Sequence, residues 1–301
     1  MKGALVAKPA SFAARFAARS GWGTRLSSGL AGLLQSPVST VVGVAFVAIV
    51  CFGTLFAPLL TPADPLALSA DTLRPPGWAH PFGTDDLGRD GLARVLYGGR
   101  VSLSVGLFSA VLSVGLGMTI GMVAGFFGGA LDEVLMRITE AFQILPKLLV
   151  AVVVVSLIGS GLANEILVIG ISSWPATARV IRGRVQVIRH EEFIAAAEMS
   201  GASWVRVLAR HVTPNVLSFL LVSAALQVAS AIMAESFLSF LGLGDPAHPS
   251  WGLLLQQGQL FLQQAWWLTT FPGIALAMTI LGLNLMGDGL GGSRAGGAGR
   301  R

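Results

Sequence analysis

Apolar residues in this chain fall into long blocks, separated by shorter stretches that hold most of the charge. The first block runs from Val38 to Leu60. It is too long for the hydrophobic part of a secretory leader and ends in Pro-rich sequence without a small-residue cleavage pattern, so residues 37–60 read as an uncleaved membrane helix. No charge occurs between Arg100 and Asp132, more than the ~20 residues a helix needs to cross the hydrocarbon, which predicts a second span. A third helix is expected from about Val134 to Ile158, with Arg137, Glu140, Pro146 and Lys147 in its first half. Those ionisable groups read as clustered near the cytoplasmic end, where long side chains reach the interface cheaply. The fourth apolar block, Leu162 to Ile181, is the weakest and carries Glu165 and Pro175. A fifth runs from Val216 to Leu241, with Glu235 near the outer interface, and a sixth from Leu268 to about Met286. The fold class is therefore an all-α integral membrane protein with six transmembrane helices.

The polar stretches between the blocks differ in kind. Residues 61–100 are rich in Pro and Gly; Asp85, Asp86 and Asp90 there do not have the spacing of a calcium loop, and an external surface loop is the simpler reading. Residues 242–267 form a second external loop, with no Lys or Arg from Asp245 onward and with tryptophans suited to an interface. The Gly117-x-x-x-Gly121-x-x-x-Gly125 series permits close helix approach, read as packing within the subunit.

Residues 182–215 are the long charged stretch between two strongly apolar blocks. Glu191 to Ser200 reads as a short helix, and Gly201 suits the left-handed geometry that ends one. From Ser203 to His211, Trp204, Val205, Val207 and Leu208 recur at helical spacing, with Arg206 and Arg210 on the other face. Thr213-Pro214 then places an N-cap residue before a proline at the first helical position. The result is a compact knob of two short helices. By composition alone an ordinary solvated basic loop is the favoured reading, since charge runs are usually solvated faces.

Composition and charge sharpen this picture. With 53% hydrophobic and 12% charged residues, the chain is far less charged than a soluble domain, in which about a quarter of residues are. Basic residues gather in three places: a basic arm over residues 1–36, the central loop, and a Gly-rich tail over residues 291–301 that is expected to be flexible. The positive-inside rule puts all three in the cytoplasm, as six spans require. No nucleic-acid partner is needed to account for them. Cys51, the single cysteine, lies in an apolar block and reads as a small buried hydrophobe. The lysines are Lys2, Lys8 and Lys147, and none sits in a phosphate-binding P-loop.

Several motifs resemble one family. Ala196, Ala197, Gly201 and Pro214 stand at the spacing of the cytoplasmic loop signature of ABC-importer permeases, and Arg210-His211 with Pro214-Asn215 resembles its form in the dipeptide/oligopeptide/nickel branch. Ala195 occupies the position of the signature glutamate, and Thr213 precedes the proline. HPFGTDDLGRD at residues 80–90, GGALDEVLMRITEAFQILPK at 128–147, AESFLSFLGLG at 234–244 and GDGL at 287–290 are similar to the same branch. The resemblance implies a permease core over residues 101–290 and a coupling helix between helices 4 and 5, seated in a cleft of an ATPase subunit. Phe193, Ala195, Ala196, Ala197, Gly201, Ala202, His211 and Pro214 would form that contact. It further implies a bacterial inner-membrane location, a second related permease, two ATPase subunits that hydrolyse ATP, and an extracytoplasmic binding protein that delivers substrate. No cofactor, metal or catalytic residue is expected in this chain, nor a deep selective pocket. Peptides, nickel complexes and other small solutes are all compatible with it.

Two other classes compete. An ion-coupled transporter predicts paired ionisable groups at mid-membrane and repeated broken helices. An intramembrane hydrolase could be built from Ser172 or Ser173 with His190 or His211, but both histidines fall in the cytoplasmic loop at no motif spacing.

Overall fold

The computed structural model describes residues 38–298. The arm expected over residues 1–36 lies outside the described residues, as do residues 299–301 and the side chains of Ser218, Leu221 and 290–298. Helices dominate, and an isolated bridge joins Thr84 to Asp90. In chain order the helices are α1 (Val38–Leu55), α2 (Ala57–Leu60), α3 (Gly91–Phe127), α4 (Gly129–Ile144), α5 (Lys147–Ile158), α6 (Leu162–Arg189), α7 (Glu192–Met199), α8 (Trp204–Val207), α9 (Thr213–Phe240), α10 (Trp251–Gly258) and α11 (Trp267–Ala298).

Four of them are long and apolar enough to cross a membrane: α1, α3, Val222–Phe240 of α9 and Trp267–Gly289 of α11. Two departures separate this from the six expected. The helix expected over 134–158 is two helices, α4 and α5, meeting at 81°. Pro146 supplies no N–H and disfavours helical geometry in the residue before it; Leu145 is accordingly extended at ψ 129°. Taken as one broken span, this pair raises the number to five. The expected fourth span is α6, which has the length but carries Glu165, Arg179, Arg182, Arg184 and Arg189 among its 28 residues.

What holds α6 in place is α3. At 37 residues, α3 is about 55 Å long, well beyond the hydrocarbon thickness. A Cβ at Gly117 would lie 2.6 Å from Thr177 Cβ, one at Gly121 2.9 Å from Ile181 Cβ, and one at Gly125 2.7 Å from the Arg182 carbonyl. The glycine series thus packs within the subunit, against α6. Across the bundle, α1 lies on α11 through a similar approach of Gly43 to Gly282.

At the end of the bundle remote from the 190–212 loop, residues 61–90 fold over α10 and α11. Asp85 is 2% exposed and is not a surface carboxylate. It accepts from the backbone N–H of Leu87 and Arg89 and from the side chains of Arg89 and Arg94. Arg94 also donates to Gln257 Oε1 at 2.6 Å, and Trp267 Nε1 donates to the Thr84 carbonyl at 3.1 Å. Asp90 caps α3 by accepting from the Ala93 N–H. A second anchor is Glu235, fully buried near the end of α9 and accepting from Ser102, Ser236 and Ser239. Ser102 accepts in turn from the Trp251 N–H of α10. Both carboxylate oxygens find hydroxyl donors here, so Glu235 fastens α3, α9 and, through Ser102, α10 together.

Candidate functional site: the 190–212 knob

The loop between α6 and α9 is an ordered knob. α7 ends as its residues dictate: Gly201 has φ +78°, its N–H donates to the Glu198 carbonyl at 2.9 Å, and the Ala202 N–H donates to the Ala197 carbonyl at 3.1 Å. This pair of bonds is a Schellman motif, satisfying two carbonyls that the helix end would otherwise orphan. Ser203 is extended and precedes the single turn of α8.

The entry to α9 differs from the expected cap. Thr213 is helical, and the chain passes from α8 through a π-helical turn, Leu208–Val212, directly into α9. Pro214 cannot donate, so the ladder widens, and the Thr213 hydroxyl donates back to the Leu208 carbonyl at 2.9 Å. The hydroxyl supports the turn from inside the helix instead of capping it.

The knob is fastened by one side of its helices. Ile194 of α7, Val207 of α8 and Val212 of the π turn are buried in one cluster with Phe126 of α3, Ile181 and Val185 of α6, and Val216 and Leu220 of α9. Ala197 and Ala202 pack against the same cluster. Four large apolar side chains stay exposed beside the charges of Glu192, Glu198, Arg206 and Arg210: Phe193 is 43% exposed, Met199 84%, Val205 53% and Trp204, which also meets the Phe127 ring of α3 at 5.5 Å, 56%. Of the residues singled out in the sequence, Phe193, Ala195, Ala196, Gly201 and Pro214 are exposed, and Ala197, Ala202 and His211 are partly covered. Phe193 and His211 face each other with ring centroids 6.4 Å apart.

Two features tie the knob to the bundle that the sequence reading missed. Arg182 grips Asp132 with two bonds, Nε to Oδ1 at 2.5 Å and Nη2 to Oδ2 at 2.6 Å, joining α6 to α4. Arg189 lies over the Phe126 ring at 5.1 Å, at the point where α6 turns into the knob. The charges on α6 were visible, but the partner of Arg182 lies fifty residues away in sequence at Asp132 and has no local signature.

A bundle of four to five membrane-length helices with an ordered knob between two helices is the architecture of a multi-pass membrane protein. Residues 117–292 match the family described as binding-protein-dependent transport system inner membrane component, and the chain belongs to that family. It is 38% identical over 256 residues to the di/tripeptide transport system permease protein DppC of Pseudomonas aeruginosa, covering 82% of this chain and 84% of the relative. It is likewise 38% identical over 239 residues to the dipeptide transport system permease protein DppC of Bacillus subtilis, covering 78% and 75%. Among solved structures, a chain of the MetNI methionine ABC transporter in an inward-facing conformation matches with TM-score 0.52 and 16% identity, over 67% of this chain and 94% of that one. The chain therefore has the fold of an ABC importer permease and is a multi-pass inner-membrane protein.

Proposed function

We propose that this chain forms half of the translocation pathway of an ATP-driven importer of short peptides. A second related permease supplies the other half, two cytoplasmic ABC ATPase subunits hydrolyse ATP, and an extracytoplasmic binding protein delivers the substrate. α6 crosses the bilayer as the fourth span, shielded by α3, so that the knob and both termini are cytoplasmic. Peptides are favoured over nickel complexes by the names of the relatives, which are peptide permeases.

The observation that carries this reading is the knob itself. Phe193, Met199, Trp204 and Val205 face outward while Ile194 and Val207 lock the same two helices into α3, α6 and α9. A push on the outer side is therefore delivered to three helices at once. Phe193, Ala195, Ala196, Ala197, Gly201, Ala202, His211 and Pro214 form or frame the ATPase contact. ATP binds to the partners, and this chain couples their closure to outward or inward opening of the pathway.

The test is purification of the chain from its native membrane in mild detergent. Co-recovery of a second permease and two ATPases, with ATP hydrolysis raised by the peptide-loaded binding protein, is the expected result. Recovery of a homo-oligomer without any ATPase would overturn it and bring forward the ion-coupled reading.

A further inference from the structure

The break at Pro146 places Lys147 in an unusual position. It begins α5, eleven residues from the end of that helix at Ile158. Ser173 is eleven residues from the start of α6 at Leu162, and Ser230 is ten residues from the end of α9 at Phe240. All three ends lie at the side of the bundle remote from the knob. At 1.5 Å per residue the three polar groups share a depth of about 15–17 Å, close to the middle of a ~30 Å hydrocarbon layer. Lys147 is thus at mid-depth, not near the cytoplasmic end as its sequence position suggested.

These groups line one cavity of about 190 Å³, together with Ser172, Met233 and Phe237. That is smaller than a whole small-molecule site, about 300 to 1,000 Å³, and is suited to one end of a ligand. Lys147, Met233 and Phe237 are exposed, so the cavity opens outward from this chain. Lys147 makes no ion pair or hydrogen bond among the described residues. An ammonium at this depth facing lipid costs about 2.5–3.5 kcal/mol or more. The face that bears it is therefore a protein-covered or water-filled face, such as a second permease would close. Phospholipid phosphates lie about 15 Å away at the interface and are not its natural partner.

We propose that this cavity is a carboxylate subsite of the transport pathway, in which Lys147 holds the C-terminal carboxylate of a passing peptide and Ser172, Ser173 and Ser230 supply hydrogen bonds beside it. The inference rests on the importer reading above. A single mobile cation with hydroxyls recognises what all short peptides share and ignores their side chains. An open, one-sided site of this kind holds a peptide weakly enough to release it onward.

The experiment uses the complete transporter with its partner subunits and binding protein in proteoliposomes. ATP-driven uptake of Ala-Ala and of its C-terminal amide is measured beside ATP hydrolysis for wild type, Lys147→Met and Lys147→Arg. The neutral variant is expected to lower Ala-Ala uptake per ATP by about tenfold, the weight of one charge-assisted contact. Amide uptake stays as in wild type, and Lys147→Arg restores Ala-Ala uptake. Lys147→Gln serves as the neutral variant should the methionine variant fail to assemble. If the amide is not carried at all, uptake of Ala-Ala per ATP and its rescue by arginine decide the matter. Unchanged Ala-Ala uptake per ATP in the neutral variant, or equal loss for acid and amide, overturns the subsite. Failure of the wild type to move any peptide overturns the peptide reading instead.

Discussion

At Gly201 and Glu235, single positions carry consequences that can be separated experimentally. Gly201 has φ +78° and open space around it, with nothing within 4 Å of an added Cβ. Gly201→Ala is therefore expected to cost only the left-handed strain, roughly 1–2 kcal/mol, with the complex still assembled. Gly201→Trp carries the same strain but projects an indole from the knob, and should abolish stimulation of the ATPase by the loaded binding protein while insertion is retained. A fully active Gly201→Trp transporter would count against the knob as the coupling element. Glu235 is buried among three serine hydroxyls and serves as an anchor. Glu235→Gln keeps acceptor and shape, so peptide uptake should persist, whereas a proton relay would lose it. Glu235→Leu strands Ser102 and Ser239 and should lower thermal stability in detergent, by about 1–3 kcal/mol for unsatisfied buried groups. The role of Gly201 was readable because a glycine after a helical run has one dominant use. The partners of Asp85 and Arg182 were not, since the chemistry of a buried ion pair is set by residues that only the fold brings near.

Helices succeed or fail as predictions for identifiable reasons. α1, α3, α9 and α11 were legible because long uncharged runs have no stable alternative to a helix in lipid. α6 was legible as a helix but weak as a span, because four arginines crowd its second half: Arg182 is held by Asp132 of α4, while Arg179, Arg184 and Arg189 are exposed. The bend at Pro146 was missed although the proline was noted: hydropathy is blind to backbone geometry, and α4 and α5 are both apolar enough to read as one. Contact between α3 and α6 offers a direct test. Gly121→Ala would force a Cβ to within 2.9 Å of Ile181 Cβ, whereas the same change at Gly115 meets nothing within 4 Å. Overpacking of this kind costs about 1–3 kcal/mol, so the melting temperature in detergent should fall for Gly121→Ala and stay level for Gly115→Ala. Equal behaviour of the two variants would mean that the glycine series is not held against α6.

Across the whole molecule, the proposed coupling requires the knob to transmit force as a rigid piece. Its two sides make opposite demands on neighbouring residues. Ile194 is 1% exposed within the cluster shared by α3, α6 and α9, while Phe193, the adjacent residue, is 43% exposed. Ile194→Ala removes buried contacts and should destabilise by roughly 2–5 kcal/mol, seen as a lower melting temperature of the isolated chain. Phe193→Asp touches no core and should leave that temperature within experimental error, as surface changes do to within about 0.5 kcal/mol. In the assembled transporter the order reverses for Phe193→Asp, because a carboxylate set into an apolar contact loses its water without gaining a partner. Its complex should either lose the ATPase subunits on purification or retain ATP hydrolysis that no longer responds to the binding protein. A Phe193→Asp transporter with intact stimulation and uptake would move the contact away from this face, and the knob would then be only the surface cap of the bundle.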